Sequence, residues 1–349
     1  MELALKLAEK GRGYVSPNPL VGCVILKRNR IVGRGYHKKY GEAHAEINAL
    51  NEAGKKARGA TLDVTLEPCS HWGKTPPCTE RIVDVGISEV IIGMLDPNPV
   101  VTGSQELKFR GVKLKTGILE KEAKKQNEQY IKYIKTKKPF VIVKAAMSLD
   151  GRIATTTGHS KYITGREARK YVHKLRSELD AIMVGINTVL KDNPQLTTRL
   201  VRGRNPFIIV VDSTLRIPVN AKLLNDPSKV IIATSSKASK ANVKQFLQRG
   251  VKVLTIKQKG GKIDLNELMK ELGKMEIGSI MIEGGAELNA EAIRSKIADK
   301  ILFFIAPGLI GEGLGAIGDL GIKKVDRSIK LKNLTSRKIG KDILIEAYL

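Results

Sequence analysis

Three residues with metal-binding side chains lie close together near the start of the chain. His44 is followed by Cys69 and Cys78, and the two cysteines flank a polar, proline-rich loop. One imidazole and two thiolates make three zinc ligands and leave a fourth position for water, as in catalytic rather than structural zinc sites. Zinc lowers the pKa of that water, so that hydroxide is available near neutral pH. The pattern therefore predicts one catalytic zinc ion per chain.

A carboxylate completes this group. Glu46 stands two residues after His44, and Pro68 directly precedes Cys69. A histidine, a glutamate two residues later, and Pro-Cys with a second cysteine form the signature of zinc deaminases, in which the glutamate moves protons and binds no metal. The sequence predicts hydrolytic deamination of an amino-substituted heterocycle, with Glu46 as the catalytic residue.

The cysteines also allow other interpretations. Cys23, the third cysteine, lies in the apolar run 20–26, which is typical of a buried strand, and we interpret it as a core thiol. Cys69 and Cys78 could form a disulfide, but no secretory signal opens the chain and intracellular thiols are normally reduced. We therefore favour a metal site and expect a cytoplasmic protein.

Length and charge narrow the class of protein. A chain of 349 residues usually forms two domains, and 42% hydrophobic residues are enough for packed cores. No apolar run reaches the roughly 18 residues that span a membrane. The net charge of +26 is compatible with nucleic-acid binding. However, the lysines are scattered, with no compact basic block containing aromatic residues, so we do not expect nucleic acid as the main partner. A basic protein would also attract a phosphorylated substrate.

Secondary-structure patterns place the zinc-site residues on an α/β framework. The patterns in the first half predict a helix over 2–10, strands over 20–26, 31–36, 61–66 and 90–94, a helix from about His44, and further helices over 79–85 and 115–138. A linker at 135–139 precedes a second apolar core. There the patterns predict strands over 140–146, 181–185, 207–212, 230–234 and 251–256, a helix over 166–179, and a polar loop over 187–199.

One turn in the second half is weak evidence for a ligand-binding site. Gly284-Gly285 follows a predicted strand and precedes a predicted helix, a turn whose free N–H groups could bind phosphate or could simply allow tight packing. The one Gly-x-Gly-x-x-Gly match, at residues 313–318, has no acid about 20 residues further on, so the sequence lacks the ordinary dinucleotide fingerprint. The pattern alone supports only a candidate nucleotide-binding α/β domain.

Several stretches together resemble a known family. Residues 16–22, 41–46 and 65–78 look like the deaminase half of the bifunctional riboflavin-biosynthesis deaminase/reductases. Eight residues separate Cys69 from Cys78, whereas cytidine and tRNA-adenosine deaminases typically have two. Residues 144–152, 160–164, 185–194 and 283–288 look like the reductase half. The resemblance covers nearly the whole chain.

The resemblance implies a fold, an activity and cofactors. It implies an α/β protein with an N-terminal cytidine-deaminase-like three-layer domain (residues 1–138) and a C-terminal dihydrofolate-reductase-like α/β domain (residues 139–349). The first domain would hydrolyse the ring amine of 2,5-diamino-6-ribosylamino-4(3H)-pyrimidinone 5′-phosphate with Zn²⁺. The second would reduce the ribosyl group to ribityl with NADPH. We expect a small phosphorylated pyrimidine as substrate, no membrane partner, and a homo-oligomer.

Site residues follow by position from the same resemblance. It assigns zinc binding to His44, Cys69 and Cys78, and catalysis to Glu46. The implied deaminase substrate contacts are Asn18, His37, His71 and Lys74. The implied NADPH contacts are Ala146, Tyr162, Thr188, Asp192, Ser213, Gly285, Ala286, Glu287, Leu288, Asn289, Ala290 and Glu291. The implied reductase substrate contacts are Ser160, Arg176, Leu196, Arg199 and Glu283.

Two rival functions explain part of the pattern. A nucleic-acid base deaminase would account for the zinc site and the charge, but not for the long loop between the cysteines or the second apolar half. A zinc-stabilised binding protein would need a fourth protein ligand and would leave Glu46 without a task. His71 could be that ligand, although its closeness to Cys69 makes simultaneous binding awkward.

Overall fold

The computed structural model describes residues 1–73 and 76–349 of the chain. The chain divides into two compact units, Met1–Lys137 and Lys138–Leu349. Among the described residues, no helix combines the length and the apolar character needed to cross a membrane.

The first unit is built around one mixed sheet. Its helices are α1 (Glu2–Ala8), α2 (Ala45–Ala53), α3 (Cys78–Val85), α4 (Gly103–Phe109), α5 (Glu120–Gln126) and α6 (Glu128–Thr136). Its strands are β1 (Gly22–Lys27), β2 (Arg30–Tyr36), β3 (Thr61–Leu66), β4 (Glu89–Met94) and β5 (Lys113–Thr116). The sheet order is β2-β1-β3-β4-β5, with β1 antiparallel to both of its neighbours and β3, β4 and β5 parallel.

Helices cover both faces of this sheet. Successive side chains of a strand point to opposite faces. Cys23 and Ile25 of β1 belong to the core cluster shared with α2, α3 and α4. Val24, between them, packs instead against Ala4 and Leu7 of α1. The predicted three-layer arrangement is confirmed, and Cys23 is a buried core thiol.

The second unit contains a larger sheet. Its helices are α7 (Arg166–Glu178), α8 (Ile186–Asp192), α9 (Lys240–Gln248), α10 (Leu265–Lys274) and α11 (Ala286–Arg294). Its strands are β6 (Phe140–Met147), β7 (Arg152–Thr155), β8 (Ala181–Gly185), β9 (Phe207–Val211), β10 (Val230–Thr234), β11 (Lys252–Thr255), β12 (Gln258–Lys259), β13 (Lys262–Ile263), β14 (Ser279–Ile282), β15 (Lys300–Ile305), β16 (Gly313–Gly315), β17 (Lys332–Ile339) and β18 (Asp342–Tyr348).

Nine of these strands form one sheet of order β11-β10-β9-β8-β14-β6-β15-β18-β17. The pairs from β11 to β15 are parallel, and β18 and β17 complete the sheet antiparallel. One face packs against α7, α8 and α9, and the other against α10 and α11. The predicted α/β class is confirmed, and the carboxyl ends of the parallel strands meet at one edge, where such sheets bind ligands.

Two predicted segments differ from the structure. The polar loop predicted over 187–199 begins with helix α8, because Ile186 and Val189 are buried against the core. The single helix predicted over 115–138 is wrong. Residues 113–116 pair with β4 as a strand, and the remainder is two helices separated at the buried residue Asn127.

Candidate functional site

The three predicted zinc ligands come together at the carboxyl end of β3. Cys69 lies just beyond that strand, His44 is the N-cap of α2, and Cys78 is the first residue of α3. Their ligand atoms all lie within 4.8 Å of one another. His44 Nδ1 is 3.4 Å from Cys69 Sγ and 3.3 Å from Cys78 Sγ. In a tetrahedral zinc site, bonds of about 2.0 and 2.3 Å put nitrogen and sulfur about 3.5 Å apart.

The chemistry of this donor set also fits zinc. A hydrogen bond from Cys78 lowers the pKa of the Cys69 thiol to about 4; burial opposes this shift and His44 adds to it. A thiolate is the form that binds metal. Among the described residues, His44, Cys69 and Cys78 are the only His, Cys, Asp or Glu cluster with ligand spacing. Three protein ligands leave a coordination position for a reacting water.

Glu46 lies in the first turn of α2, as predicted, and is buried beside the ligands. Its Oε2 atom is buried and makes no hydrogen bond to any described residue. Burial raises the pKa of Glu46 to about 7. A buried carboxyl group whose pKa is close to neutral, with one oxygen free of protein partners, is suited to accept and return a proton.

Two predicted substrate residues lie next to the zinc ligands. The ring of buried His37 is edge-on to that of His44, with 5.4 Å between centroids. His37 Nδ1 is 3.2 Å from the carbonyl oxygen of Ala43, so Nδ1 carries the proton and Nε2 is the acceptor. Asn18 Nδ2 lies 3.3 Å from that Nε2. The Asn18 amide is therefore held in a fixed direction, and its oxygen accepts no hydrogen bond from the part of the chain that the structure describes.

The other two predicted contacts lie on the loop between the cysteines. His71 is exposed. Lys74 lies outside the described residues.

A buried carboxylate fixes the loop that carries Cys69. Glu67 Oε2 accepts the N–H of Asp96 at 3.0 Å, and its Oε1 accepts the N–H of Ser104 at 2.8 Å. Gly103 packs so closely on Pro68 that any Cβ there would overlap the Pro68 carbonyl. Glu67 thus ties the ligand loop to the loop after β4.

A buried amide fixes the loop that carries Asn18. The N–H of Leu20 donates to Asn127 Oδ1 at 2.8 Å, and Asn127 Nδ2 donates to the carbonyl of Leu20 at 2.9 Å. One side chain between α5 and α6 therefore satisfies both backbone groups of a residue 107 positions away. Sequence reasoning missed Asn127, whose only signal was a polar residue interrupting a lysine-rich helical pattern.

The second unit holds a cavity of about 1110 Å³ at the carboxyl ends of its parallel strands. All five predicted reductase substrate residues line it, as do Ala146, Tyr162, Thr188, Asp192 and Ser213. From the predicted segment 285–291, the lining residues are Gly285, Ala286, Glu287, Leu288 and Glu291. Asn289 and Ala290 do not line the cavity. Both are buried, and Asn289 Nδ2 donates to the carbonyl of Ala316.

Three charged side chains form a buried cluster in this cavity. Arg176 Nε and Nη2 donate to the two carboxylate oxygens of Glu283 at 2.6 and 3.0 Å. Lys144 Nζ lies 3.5 Å from Glu283 Oε2. Burial by itself raises the pKa of Glu283, but Arg176 and Lys144 outweigh it and lower that pKa to about 2. Burial lowers the pKa of Lys144 more than Glu283 raises it.

Lys144 and His173 also line the cavity, and neither was predicted as a site residue. Lys144 had a signal, since it is a single charge inside the apolar strand over 140–146. His173 Nδ1 accepts the N–H of Arg199 at 3.1 Å and so positions the predicted substrate loop. Burial, with Arg176 and Arg199, lowers the pKa of His173 to about 4, which keeps this acceptor neutral.

Comparison with known proteins matches both units. Residues 1–94 match the cytidine and deoxycytidylate deaminase zinc-binding region, and residues 139–345 match the RibD C-terminal domain. The riboflavin biosynthesis protein RibD of Aquifex aeolicus is 44% identical over 349 residues, covering 99% of this chain and 96% of that protein. RibD of Escherichia coli is 37% identical over 361 residues, covering 99% of this chain and 97% of that protein.

A solved structure is similar to this chain over its whole length. It is a diaminohydroxyphosphoribosylaminopyrimidine deaminase/5-amino-6-(5-phosphoribosylamino)uracil reductase from Thermotoga maritima, 37% identical, with a TM-score of 0.89 over 100% of this chain and 97% of that one. The zinc-ligand cluster on one α/β unit and the cavity at the sheet edge of the other define a two-domain enzyme that joins a zinc deaminase to a reductase. The chain belongs to the RibD family of bifunctional riboflavin biosynthesis proteins.

Proposed function

We propose that residues 1–138 hydrolyse the ring amine of 2,5-diamino-6-ribosylamino-4(3H)-pyrimidinone 5′-phosphate, and that residues 139–349 reduce the ribosyl group of the product to ribityl with NADPH. The observation that carries the first assignment is the cluster of His44, Cys69 and Cys78 beside the partner-free Glu46 oxygen. The second assignment rests on the cavity at the sheet edge and on its buried charged cluster of Lys144, Arg176 and Glu283. A small phosphorylated pyrimidine as substrate, a homo-oligomer and a cytoplasmic location remain our expectations.

Each residue of the first unit has a defined task in this proposal. Zinc held by His44, Cys69 and Cys78 would supply a Lewis acid that activates water. Glu46 would take a proton from that water and deliver it to the departing amine. Asn18 and His37 would hold the heterocycle, since the Asn18 amide has both donor and acceptor groups. Hydrogen bonding to a ring edge fixes its orientation, and orientation is a large part of catalysis.

The second unit supplies orientation for hydride transfer. NADPH would lie across Gly285 and the start of α11, because a helix N-terminus with free N–H groups suits phosphate. Arg199 would bind the substrate phosphate, since its exposed guanidinium lines the cavity and a guanidinium pairs bidentately with phosphate. Arg176 already donates to Glu283 and to the carbonyl of Thr197. It would therefore have fewer N–H groups than Arg199 to donate to the substrate phosphate. Lys144 and the ionised carboxylate of Glu283 would face the reacting ribosyl group as charged neighbours.

Zinc removal tests the division of labour between the two units. Chelation is expected to stop ammonia release from the diaminopyrimidinone ribotide, while NADPH oxidation with the already deaminated ribotide continues. Adding Zn²⁺ back should restore ammonia release. Ammonia release that persists in zinc-free protein would contradict the deaminase assignment, and absence of NADPH oxidation with the deaminated ribotide would contradict the reductase assignment.

Asn127→Leu is expected to raise the KM for the deaminase substrate while zinc content stays at one ion per chain. The substitution leaves the N–H and C=O of Leu20 buried without partners, at a cost of about 1–3 kcal/mol for each group, so the loop carrying Asn18 should shift. Steady-state kinetics of ammonia release measure the effect. Gln126→Leu is the matched control, because the neighbouring Gln126 amide donates instead to Leu5 of α1 and to Glu9 just after it. An equal KM rise in both variants would contradict a specific role for Asn127.

A further inference from the structure

Two side chains of α7 hold the loop that carries Arg199. His173 and Arg176 are three positions apart, so they lie on the same face of the helix, and both line the cavity. Arg176 Nη1 donates to the carbonyl oxygen of Thr197 at 3.2 Å. His173 Nδ1 accepts the N–H of Arg199 at 3.1 Å. The helix therefore holds the main chain at both ends of the segment 197–199.

We propose that His173 is a positioning residue, which aims the Arg199 guanidinium at the substrate phosphate and makes the reductase select a ribotide over the corresponding nucleoside. This inference rests on the proposed binding of the phosphate by Arg199. It adds the residue on which the selectivity of that contact depends. His173 acts through the main chain of Arg199 and is not itself a ligand of the substrate.

The segment that leads to Arg199 has a conformation that needs support from its surroundings. Leu196 has a φ of +56°, in the left-handed region that is unfavourable for a residue with a Cβ. Its side chain is buried in the core of the second unit. Backbone of this kind persists where neighbouring contacts determine it, and it is concentrated at ligand-binding sites. The direction of the chain after Leu196 therefore depends on the groups that bind it.

The same loop is also anchored at the far end of α7. The N–H of Thr198 donates to Asn205 Oδ1 at 2.9 Å, and Thr198 Oγ1 donates to the carbonyl oxygen of Arg204 at 3.1 Å. Arg204 Nη2 in turn donates to Asp180 Oδ1 at 2.9 Å, and Asp180 is buried just beyond the helix. These contacts close the loop over 198–205, and the imidazole fixes the residue that faces the cavity.

The side chain of Arg199 is available for an anion. It is exposed and lines the cavity. In the part of the chain that the structure describes, its guanidinium makes no hydrogen bond and no ion pair. Arg176, by contrast, is bound to Glu283 through two N–H groups. Because no side chain holds the Arg199 guanidinium, its direction is set by the main chain from which it extends.

His173 has the protonation state that this task requires. An imidazolium has two donors and no acceptor, so only the neutral ring can accept the N–H of Arg199. His173 is 4% exposed, and burial together with Arg176 and Arg199 lowers its pKa to about 4. The acceptor is therefore present throughout the neutral pH range.

Kinetics of His173→Leu with the deaminated ribotide and with its nucleoside test the inference. KM and kcat are measured on the full-length chain at saturating NADPH. The wild type should prefer the ribotide. The variant should use the ribotide with a kcat/KM about 10- to 100-fold lower, mainly through KM, because a misdirected guanidinium loses hydrogen bonds to a charged phosphate. Its kcat/KM for the nucleoside and its dissociation constant for NADPH should be unchanged, which a merely structural role would not predict.

Two further variants serve as rescue and control. In His173→Asn, Oδ1 is as many bonds from Cα as the histidine Nδ1 and can accept the same N–H, so most of the preference for the ribotide should return. His159→Leu makes the same change at an exposed histidine of the second unit that does not line the cavity. Its kinetic constants should equal those of the wild type.

A double variant tests whether His173 acts through Arg199. Arg199→Ala alone should remove most of the preference for the ribotide, and adding His173→Leu should then cause little further loss. Additive losses in the double variant would overturn the inference, as would equal losses with ribotide and nucleoside in His173→Leu. Loss of the preference in folded His173→Asn would overturn it even if the leucine variant does not fold.

The wild type separates this inference from the function on which it rests. Equal use of ribotide and nucleoside by the wild type would overturn the inference and the phosphate contact of Arg199, while leaving the reductase function intact. Failure of the wild type to reduce either substrate with NADPH would overturn the proposed reductase function as well.

Discussion

Glu46→Gln is expected to lower the deaminase kcat by about 100- to 10,000-fold, the usual contribution of a general acid-base group. Glutamine keeps the size and part of the hydrogen bonding of glutamate but cannot exchange a proton. Because Glu46 is not one of the clustered ligands, zinc content should stay at one ion per chain. Ammonia release and metal analysis on the same preparation measure both quantities.

Glu52→Gln serves as the control for this experiment. Glu52 lies on the same helix as Glu46 but is exposed, so its loss should leave the deaminase kcat unchanged. NADPH oxidation with the deaminated ribotide should be unaffected in both variants. Full deaminase activity in zinc-loaded Glu46→Gln would show that another group moves the proton.

Glu283→Gln is expected to destabilise the second unit by about 3–5 kcal/mol and to reduce the reductase rate strongly. Removing one partner of a buried ionic cluster leaves the remaining charges without compensation. Here Arg176 loses a bidentate partner and Lys144 loses its neighbouring carboxylate. The free energy of unfolding and the rate of NADPH oxidation measure the two effects.

The same variant makes the acid sensitivity of the protein testable. The pKa of Glu283 in the folded protein is about 2, below the value of about 4.3 for an unperturbed glutamate. Its stabilising contribution is therefore fully present above pH 4.3 and is lost as the pH falls towards 2. The stability difference between wild type and Glu283→Gln should shrink over that range.

Glu287→Gln is the control. Its carboxylate is 77% exposed, so it should change stability by no more than about 1 kcal/mol at any pH. If the stability difference between wild type and Glu283→Gln stayed constant as the pH fell from 4.3 to 2, the ionised cluster would be contradicted.

The zinc cluster could be predicted from sequence because its residue types are rare and its chemistry is restrictive. Few arrangements of His, Glu and Cys with this spacing have another function. The sequence also predicts the strand before Cys69 and the helix after Cys78. The Glu283 cluster was different. Arg176 and Glu283 are 107 residues apart, and nothing in the spacing indicates that they meet. Only the topology of the sheet brings them to one edge.

The errors in secondary structure have the same origin. The segment 187–199 is polar enough to predict a loop, but two buried side chains are sufficient for α8 because the core supplies the rest of the stabilisation. The residues around Asn127 have good helical propensity, yet a tertiary hydrogen-bonded pair with Leu20 determines where one helix ends and the next begins. Similarly, Asn289 and Ala290 of α11 are buried and do not line the cavity, which motif matching could not show.

The most direct test of the account is the mass of the product formed from the diaminopyrimidinone ribotide, with and without NADPH. Without NADPH, the enzyme is predicted to exchange the ring amine for oxygen and to stop there. With NADPH, the same product should gain two further hydrogens. Zinc-loaded enzyme that leaves the ribotide mass unchanged in both reactions would contradict the central claim.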